Sequence, residues 1–139
     1  MSAKDVLKLM KSKNIEFVDL RFTDPRGKLQ HLTMDTTIVD EGMLNDGVFF
    51  DGSSIAGWKA INESDMILKP DLSRKVIDPY TSHNTLILFC DILDAVKRDP
   101  YERDPRGIAK KAEAYLKKTG IGEIQLILVQ SLSFLFLTT

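Results

Sequence analysis

A chain of 139 residues, 43% apolar and 28% charged, has the composition of a soluble globular protein and fits one domain, or one domain plus a fragment. Its net charge of -1 gives no footprint for nucleic acid or an anionic lipid surface. Cys90 is the only cysteine, which excludes an internal disulfide and suits a reducing cytosol, and the start Met1-Ser2-Ala3-Lys4-Asp5 lacks the apolar core of a signal peptide.

In chain order, Ser2 can cap a first helix, with Asp5 as the partner of a partial capping box. Ala3, Val6, Leu7 and Met10 recur at helical spacing, Lys11 and Lys13 suit the C-terminal dipole, and Asn14 can end the helix. Ile15 to Phe22 alternates as a strand with Val18, Leu20 and Phe22 on one face. Asp24-Pro25-Arg26-Gly27 is a turn, since proline presets its second position and glycine suits its fourth, and Lys28 to Met34 returns as a hairpin. His31 in the return strand has no second ligand at metal spacing and reads as structural. Thr36 to Asp46 fits a loop or a short helix. Asp35, Asp40, Glu41 and Asp46 lack the order of a calcium loop and read as a solvated face.

The run Val48-Phe49-Phe50 then delivers one carboxylate into Asp51-Gly52-Ser53-Ser54-Ile55, followed by Ala56-Gly57-Trp58-Lys59. Two readings of this stretch stand. It is a surface turn whose Asp and Ser side chains satisfy their own backbone, or a loop that brings Asp51 against a small ligand or a neighbouring chain. Trp58, read from its apolar surface alone, belongs in the chain's own core. Asp65 to Leu68 and Lys75 to Ile77 read as short strands, with Lys69-Pro70 and Asp78-Pro79 as punctuation. Thr85 to Leu93 reads as a strand buried on both faces, with Cys90 as a small apolar filler. After a polar connector, Asp104 caps a helix that has Pro105 at its first position. Ile108, Ala112, Tyr115 and Leu116 mark its apolar face, and Gly120 stops it. Five or six strands with one early helix predict an α+β domain.

Phe50-Asp51-Gly52-Ser53-Ser54, a gap, and then Asn62-Glu63-Ser64-Asp65 closely resembles the N-terminal signature of bacterial glutamine synthetases. Phe17-Val18-Asp19-Leu20-Arg21-Phe22-Thr23-Asp24 and Asp104-Pro105-Arg106 agree with that family, and the resemblance runs from Met1 to about Gly122. It implies a β-grasp-like domain over residues 1–103, the start of a catalytic domain over 104–122, and a non-family tail over 123–139. It implies ligation of ammonia to glutamate with ATP and Mg or Mn, in the cytoplasm. It also implies that Asp51 reaches the active site of an adjacent subunit, where it helps bind ammonium and takes its proton, while Ser54 shapes the pocket. The Asp51–Trp58 loop is then a subunit boundary, which gives Trp58 an interface role, and glutamate and ammonium meet the chain only in an assembled site.

The run Ile124 to Thr139 carries no charge. A family-like continuation, Asp-Thr-Ala-Tyr-Phe-Gly-Pro-Glu-Pro-Glu-Phe-Phe-Ile-Phe-Asp-Asp-Val-Arg, read with its first base dropped and suitable synonymous codons, gives Ile124 through Thr139 and then a stop. The expectation is a frameshift near Glu123. Gln130 and Leu132 then stand where the family places its first metal-binding glutamates, and no metal, ATP or glutamate site remains in the chain. A native apolar strand closing the domain is the alternative. A membrane anchor is excluded by shortness and by Gln125, Gln130 and Ser131. Two functions follow: a truncated glutamine synthetase, inactive alone, or a stand-alone β-grasp module that binds full-length subunits.

Overall fold

The computed structural model describes residues 2–58 and 65–120. Helix α1 (Ala3–Ser12) starts on a complete capping box: the Asp5 amide donates to Ser2 Oγ at 3.3 Å, and the Ser2 amide donates to the Asp5 carboxylate at 3.0 Å. It buries Ala3, Val6 and Met10, and Asn14, at φ 48°, turns the chain into the first strand.

Strands β1 (Phe17–Thr23) and β2 (Leu29–Asp35) form the expected hairpin, with β2 one residue further along than the sequence suggests. Gly27 closes the turn at φ 80°, a backbone that L side chains disfavour, and its amide donates to the Asp24 carbonyl at 2.9 Å. The ambiguous stretch 36–46 resolves into a 3-10 turn (Thr36–Ile38) capped by Asp35 and helix α2 (Glu41–Asp46) capped by Asp40. Two of the acidic residues read as a solvated face are therefore helix caps.

Strands β3 (Val48–Asp51), β4 (Asp65–Ile77) and β5 (Thr85–Asp94) complete a mixed sheet of order β2-β1-β5-β4-β3. Only β1 and β5 pair in parallel; the other neighbours are antiparallel. The core lies on one face. Val18, Leu20 and Phe22 of β1, Leu86, Leu88, Cys90 and Ile92 of β5, and Met66 and Leu68 of β4 are buried with α1 and Leu44 of α2. Removing a side chain of this size from water contributes roughly 1.5–3 kcal/mol, so this face carries most of the stabilisation. The architecture is α+β and β-grasp-like, as expected.

Two expectations are corrected. The pair of short strands at 65–68 and 75–77 is one strand, β4, whose pairing with β5 shifts register between Pro70 and Lys75. Proline lacks the amide a regular ladder needs, and its position beside this irregularity lets the strand continue past it. Helix α3 (Pro105–Thr119) buries none of its residues; Ile108 and Tyr115 are 53% and 70% exposed. Its first turns are instead held to the sheet by charge. Arg106 donates to Asp91 at 2.8 Å and also to Asp71, and Lys110 donates to Asp91 at 2.7 Å. The tail 123–139 and its alternative readings lie outside the described residues.

Candidate functional site

Phe49 and Phe50 occupy successive positions of β3 and so point to opposite faces of the sheet. Phe50 packs on the core and Phe49 is left 60% exposed. Asp51 is the last residue of the strand and is exposed. Its carboxylate accepts the Ser53 amide at 2.9 Å and the Ser53 hydroxyl at 2.7 Å, capping a 3-10 turn over Gly52–Ser54. Gly52 is buried beneath the turn, while Ser54 stands exposed on it. The structure thus brings both sequence-predicted site residues onto one outward-facing turn. The serine that orients the carboxylate is Ser53, which the sequence did not single out.

The turn does not end in solvent. The Ile55 amide donates to the Gly52 carbonyl at 3.1 Å and the Trp58 amide to the Ile55 carbonyl at 3.2 Å, so residues 52–58 run as two linked turns. Trp58 is only 6% exposed. Its ring stacks on Phe22 at 5.7 Å and meets Phe50 and Tyr101 edge-on at 6.1 and 5.8 Å. The side chain therefore belongs to the chain's own core, as its apolar surface alone suggests. The exposed part of the loop is Asp51, Ser54, Ala56 and Gly57.

Asp51 also pairs in register with Asp65, the first residue of β4, and both are exposed. Residues directly opposite on adjacent antiparallel strands share a face. Two carboxylates so placed repel one another and favour a cation between or beside them. Asp65 was visible in the sequence motif, but its partnership with Asp51 depends on strand register, which no local pattern specifies. Glu63 and Ser64 of the same motif lie outside the described residues.

Other titratable clusters are satisfied internally. Asp19 is buried on the sheet face opposite the main core. It accepts Arg21 Nε at 2.6 Å and the Thr33 hydroxyl at 2.7 Å, and His31 Nδ1 lies 2.9 Å away. Burial pushes its pKa up, but these hydrogen bonds and the neighbouring His31 outweigh it and hold the carboxyl below its ordinary range. His31 is thus structural, as read. Cys90 is buried, and burial drives its thiol pKa far upward, which makes it a poor nucleophile. Among the described residues no three His, Cys, Asp or Glu side chains are grouped to hold a metal ion, and no helix is long and apolar enough to cross a membrane.

Known proteins with this fold and loop give the arrangement its context. Residues 14–95 match the profile of the glutamine synthetase beta-grasp domain. The chain is 58% identical over 135 residues to glutamine synthetase of Rhizobium meliloti (strain 1021), covering 97% of this chain and 29% of that protein. It is 60% identical over 122 residues to the Azorhizobium caulinodans enzyme and 51% identical over 136 residues to that of Escherichia coli (strain K12), covering 26% and 29% of those proteins. At 97% of the chain, the Rhizobium alignment runs past Gly122, further than the resemblance legible in the sequence alone. The chain therefore spans less than a third of the length of these relatives. Among solved structures, Plasmodium falciparum glutamine synthetase superposes with a TM-score of 0.77 at 25% identity, over 86% of this chain and 23% of that one. An apo structure of GmaS superposes at 0.74 and 21% identity, over 84% and 27%, a likeness of fold alone. Since the profile takes in more than half of the chain, and the flanking sequence is shared with these enzymes, the chain belongs to the glutamine synthetase beta-grasp domain family.

Proposed function

We propose that the chain is the N-terminal portion of a glutamine synthetase, a ligase joining ammonia to glutamate at the expense of ATP, and that Asp51 serves an active site completed by an adjacent subunit. The carrying observation is the exposed Asp51 carboxylate, oriented by Ser53 and set opposite Asp65 at the end of β3 and β4. A carboxylate with a second carboxylate across the ladder attracts ammonium and can take a proton from it. Ser54, exposed on the same turn, lines the pocket. Ammonium and glutamate meet the chain only in the assembled site, and its partners are other glutamine synthetase subunits.

Asp51 and Asp65 alone do not make a divalent-metal centre, since among the described residues no third carboxylate, imidazole or thiol joins them. ATP and Mg or Mn are supplied with the rest of the protein, and the chain alone is inactive. The uncharged run Ile124–Thr139 fits a displaced reading frame beginning near Glu123. The cytoplasm, where the unpaired Cys90 stays reduced, is the place of action.

DNA sequencing from the Gly120 codon past the Thr139 codon tests this. A displaced frame running on through Phe-Gly-Pro-Glu-x-Glu for several hundred codons is the expected result, and its absence removes the frameshift. In the frame-restored enzyme, Asp51→Asn should lower kcat/KM for ammonium by roughly 10²–10⁴-fold with the KM for ATP unchanged. Full activity in that variant would end the assignment of Asp51. A second reading, an interaction module for intact subunits, is favoured by Phe49 at 60% exposure beside this turn. Excess chain should then change the assembly or activity of an intact glutamine synthetase, and no effect at saturating excess counts against it.

A further inference from the structure

We infer that Arg103 is a positioning residue that holds the Asp51 loop from across the fold. Its Nη1 donates to the Gly57 carbonyl at 3.0 Å and to the Trp58 carbonyl at 3.4 Å. Those are the last residues of the double turn that begins at Asp51. At its start the loop is fixed by the pairing of Asp51 with Asp65. At its end, among the described residues, it is fixed by this guanidinium and by the seat of the Trp58 ring.

The arm is anchored at its base by hydrogen bonds to β5 and α3. Arg103 projects from a short turn between β5 and α3. The Tyr101 amide donates to the Ile92 carbonyl at 2.9 Å, and the Asp104 amide donates to the Tyr101 carbonyl at 3.2 Å. The buried Asp104 carboxylate accepts from the Ile92 amide at 3.4 Å and from the Gly107 amide at 3.1 Å, tying the turn to the central strand and to the helix start. The same turn supplies Tyr101, whose ring meets Trp58 edge-on. One turn therefore contributes to the Asp51 loop both an aromatic wall and one nitrogen that donates to two successive carbonyls.

The loop requires such support. Gly57 has φ 89°, a conformation with little intrinsic preference over its alternatives in glycine, and among the described residues a β-carbon there would meet only Pro25 of the β1–β2 turn, at 3.8 Å. Among the described residues the buried Trp58 indole N–H has no hydrogen-bond partner, which favours release of the ring to water. Ring stacking and the Arg103 bonds oppose that release. Both bonds come from one guanidinium nitrogen, held at the end of a side chain whose base is tied to β5 and to the start of α3.

This rests on the reading of Asp51 given above for its consequence, but not for its physical test. Trp58 is the only tryptophan, so its emission reports the loop directly. In the full 139-residue chain, Arg103→Met should at least double the acrylamide quenching constant of Trp58 and shift its emission to the red. Amide exchange at Gly52, Ser53 and Ser54 should quicken about tenfold while β5 amides keep their protection. Arg103→Lys should recover part of both effects, and Arg98→Met should show neither. Unchanged quenching and exchange, or loosening of the loop and β5 together, overturns the inference. In the frame-restored enzyme, Arg103→Met should lower kcat/KM for ammonium about tenfold without changing the KM for ATP. If Asp51→Asn leaves that activity intact, the functional reading fails, while the fluorescence and exchange results still decide the role of Arg103.

Discussion

Asp104 illustrates how one buried side chain can join two elements. It is 1% exposed, and its carboxylate collects the amides of Ile92, Arg106 and Gly107. Burial raises its pKa above the ordinary value, and these backbone hydrogen bonds only partly counter that. The folded state thus holds the proton better than the unfolded state does. This group's contribution to stability is present at low pH and is lost as pH rises through the folded pKa. Asp104→Asn keeps one acceptor oxygen and turns an NH2 toward at least one of these amides, so it should cost about 1–2 kcal/mol at pH 7. Asp104→Ala loses the cap and orphans buried amides, which should cost roughly 2–4 kcal/mol in urea unfolding. Equal losses in the two variants would show that the charge, not the acceptor, matters. Asp19 has the opposite sign. Its depressed pKa stabilises the fold above the unfolded aspartate pKa of about 4 and that contribution is lost as pH falls further. Asp19→Asn should therefore flatten the acid side of the stability profile below about pH 4; an unchanged acid slope would assign that slope to other carboxylates. At this scale the sequence was informative where chemistry is local. Ser2 and Asp104 were legible as caps, and Asp51 as a turn carboxylate. Asp65 opposite Asp51 and Arg103 beneath the loop were not, because register and a reach of 46 residues are tertiary facts.

At the scale of elements, local patterns placed α1, β1, β2, β5 and α3, left the stretch that holds α2 open, split β4, and said nothing of what holds α3. Strand β4 was split by Pro70 because proline reads as a breaker; the shift in pairing before Lys75 absorbs it. Helix α3 has apolar residues at helical spacing, yet Arg106 and Lys110 on Asp91 and Asp71 attach it to the sheet. The junctions between elements give a sharper test. Gly47 ends α2 at φ 88°, and a β-carbon there would lie 2.5 Å from the Leu68 carbonyl oxygen and 2.6 Å from Ile67 Cγ2. Gly120 ends α3 at φ 66°, and among the described residues nothing lies within 4 Å of a β-carbon there. Gly120→Ala carries only the left-handed backbone penalty, about 1 kcal/mol. Gly47→Ala adds collision with a backbone atom of the central part of the sheet, and should cost roughly 2–4 kcal/mol in all. Urea midpoints of the two variants measure the difference. Equal costs would mean that the β3–β4 hairpin shifts freely to make room.

The whole molecule is organised by the parallel pairing of β1 with β5, which places the most apolar strand at the centre of the sheet. The apolar run Thr85–Leu93 announced a buried strand, but its neighbour in space is separated by most of the domain's sequence, and no run of residues encodes that choice. Cys90 lies in this central strand, 1% exposed, with burial pushing its thiol well above its ordinary pKa. A disulfide reagent needs both access and thiolate, so labelling requires the sheet to open. In the native chain the rate should fall at least about 10³-fold below that of the urea-unfolded chain, in line with the usual stability of a small domain. Gly47→Ala should raise the native rate in proportion to its loss of stability. Asp51→Asn, which alters an exposed carboxylate on a surface turn, should leave it unchanged within about threefold. Labelling that ignores Gly47→Ala would reveal a local opening of β5, and labelling that responds to Asp51→Asn would mean that the loop contributes to the cohesion of the sheet. The expected pattern separates two parts of the domain: a central strand on which the stability of the sheet rests, and an exposed turn at its edge, capped by Asp51, whose alteration the sheet tolerates.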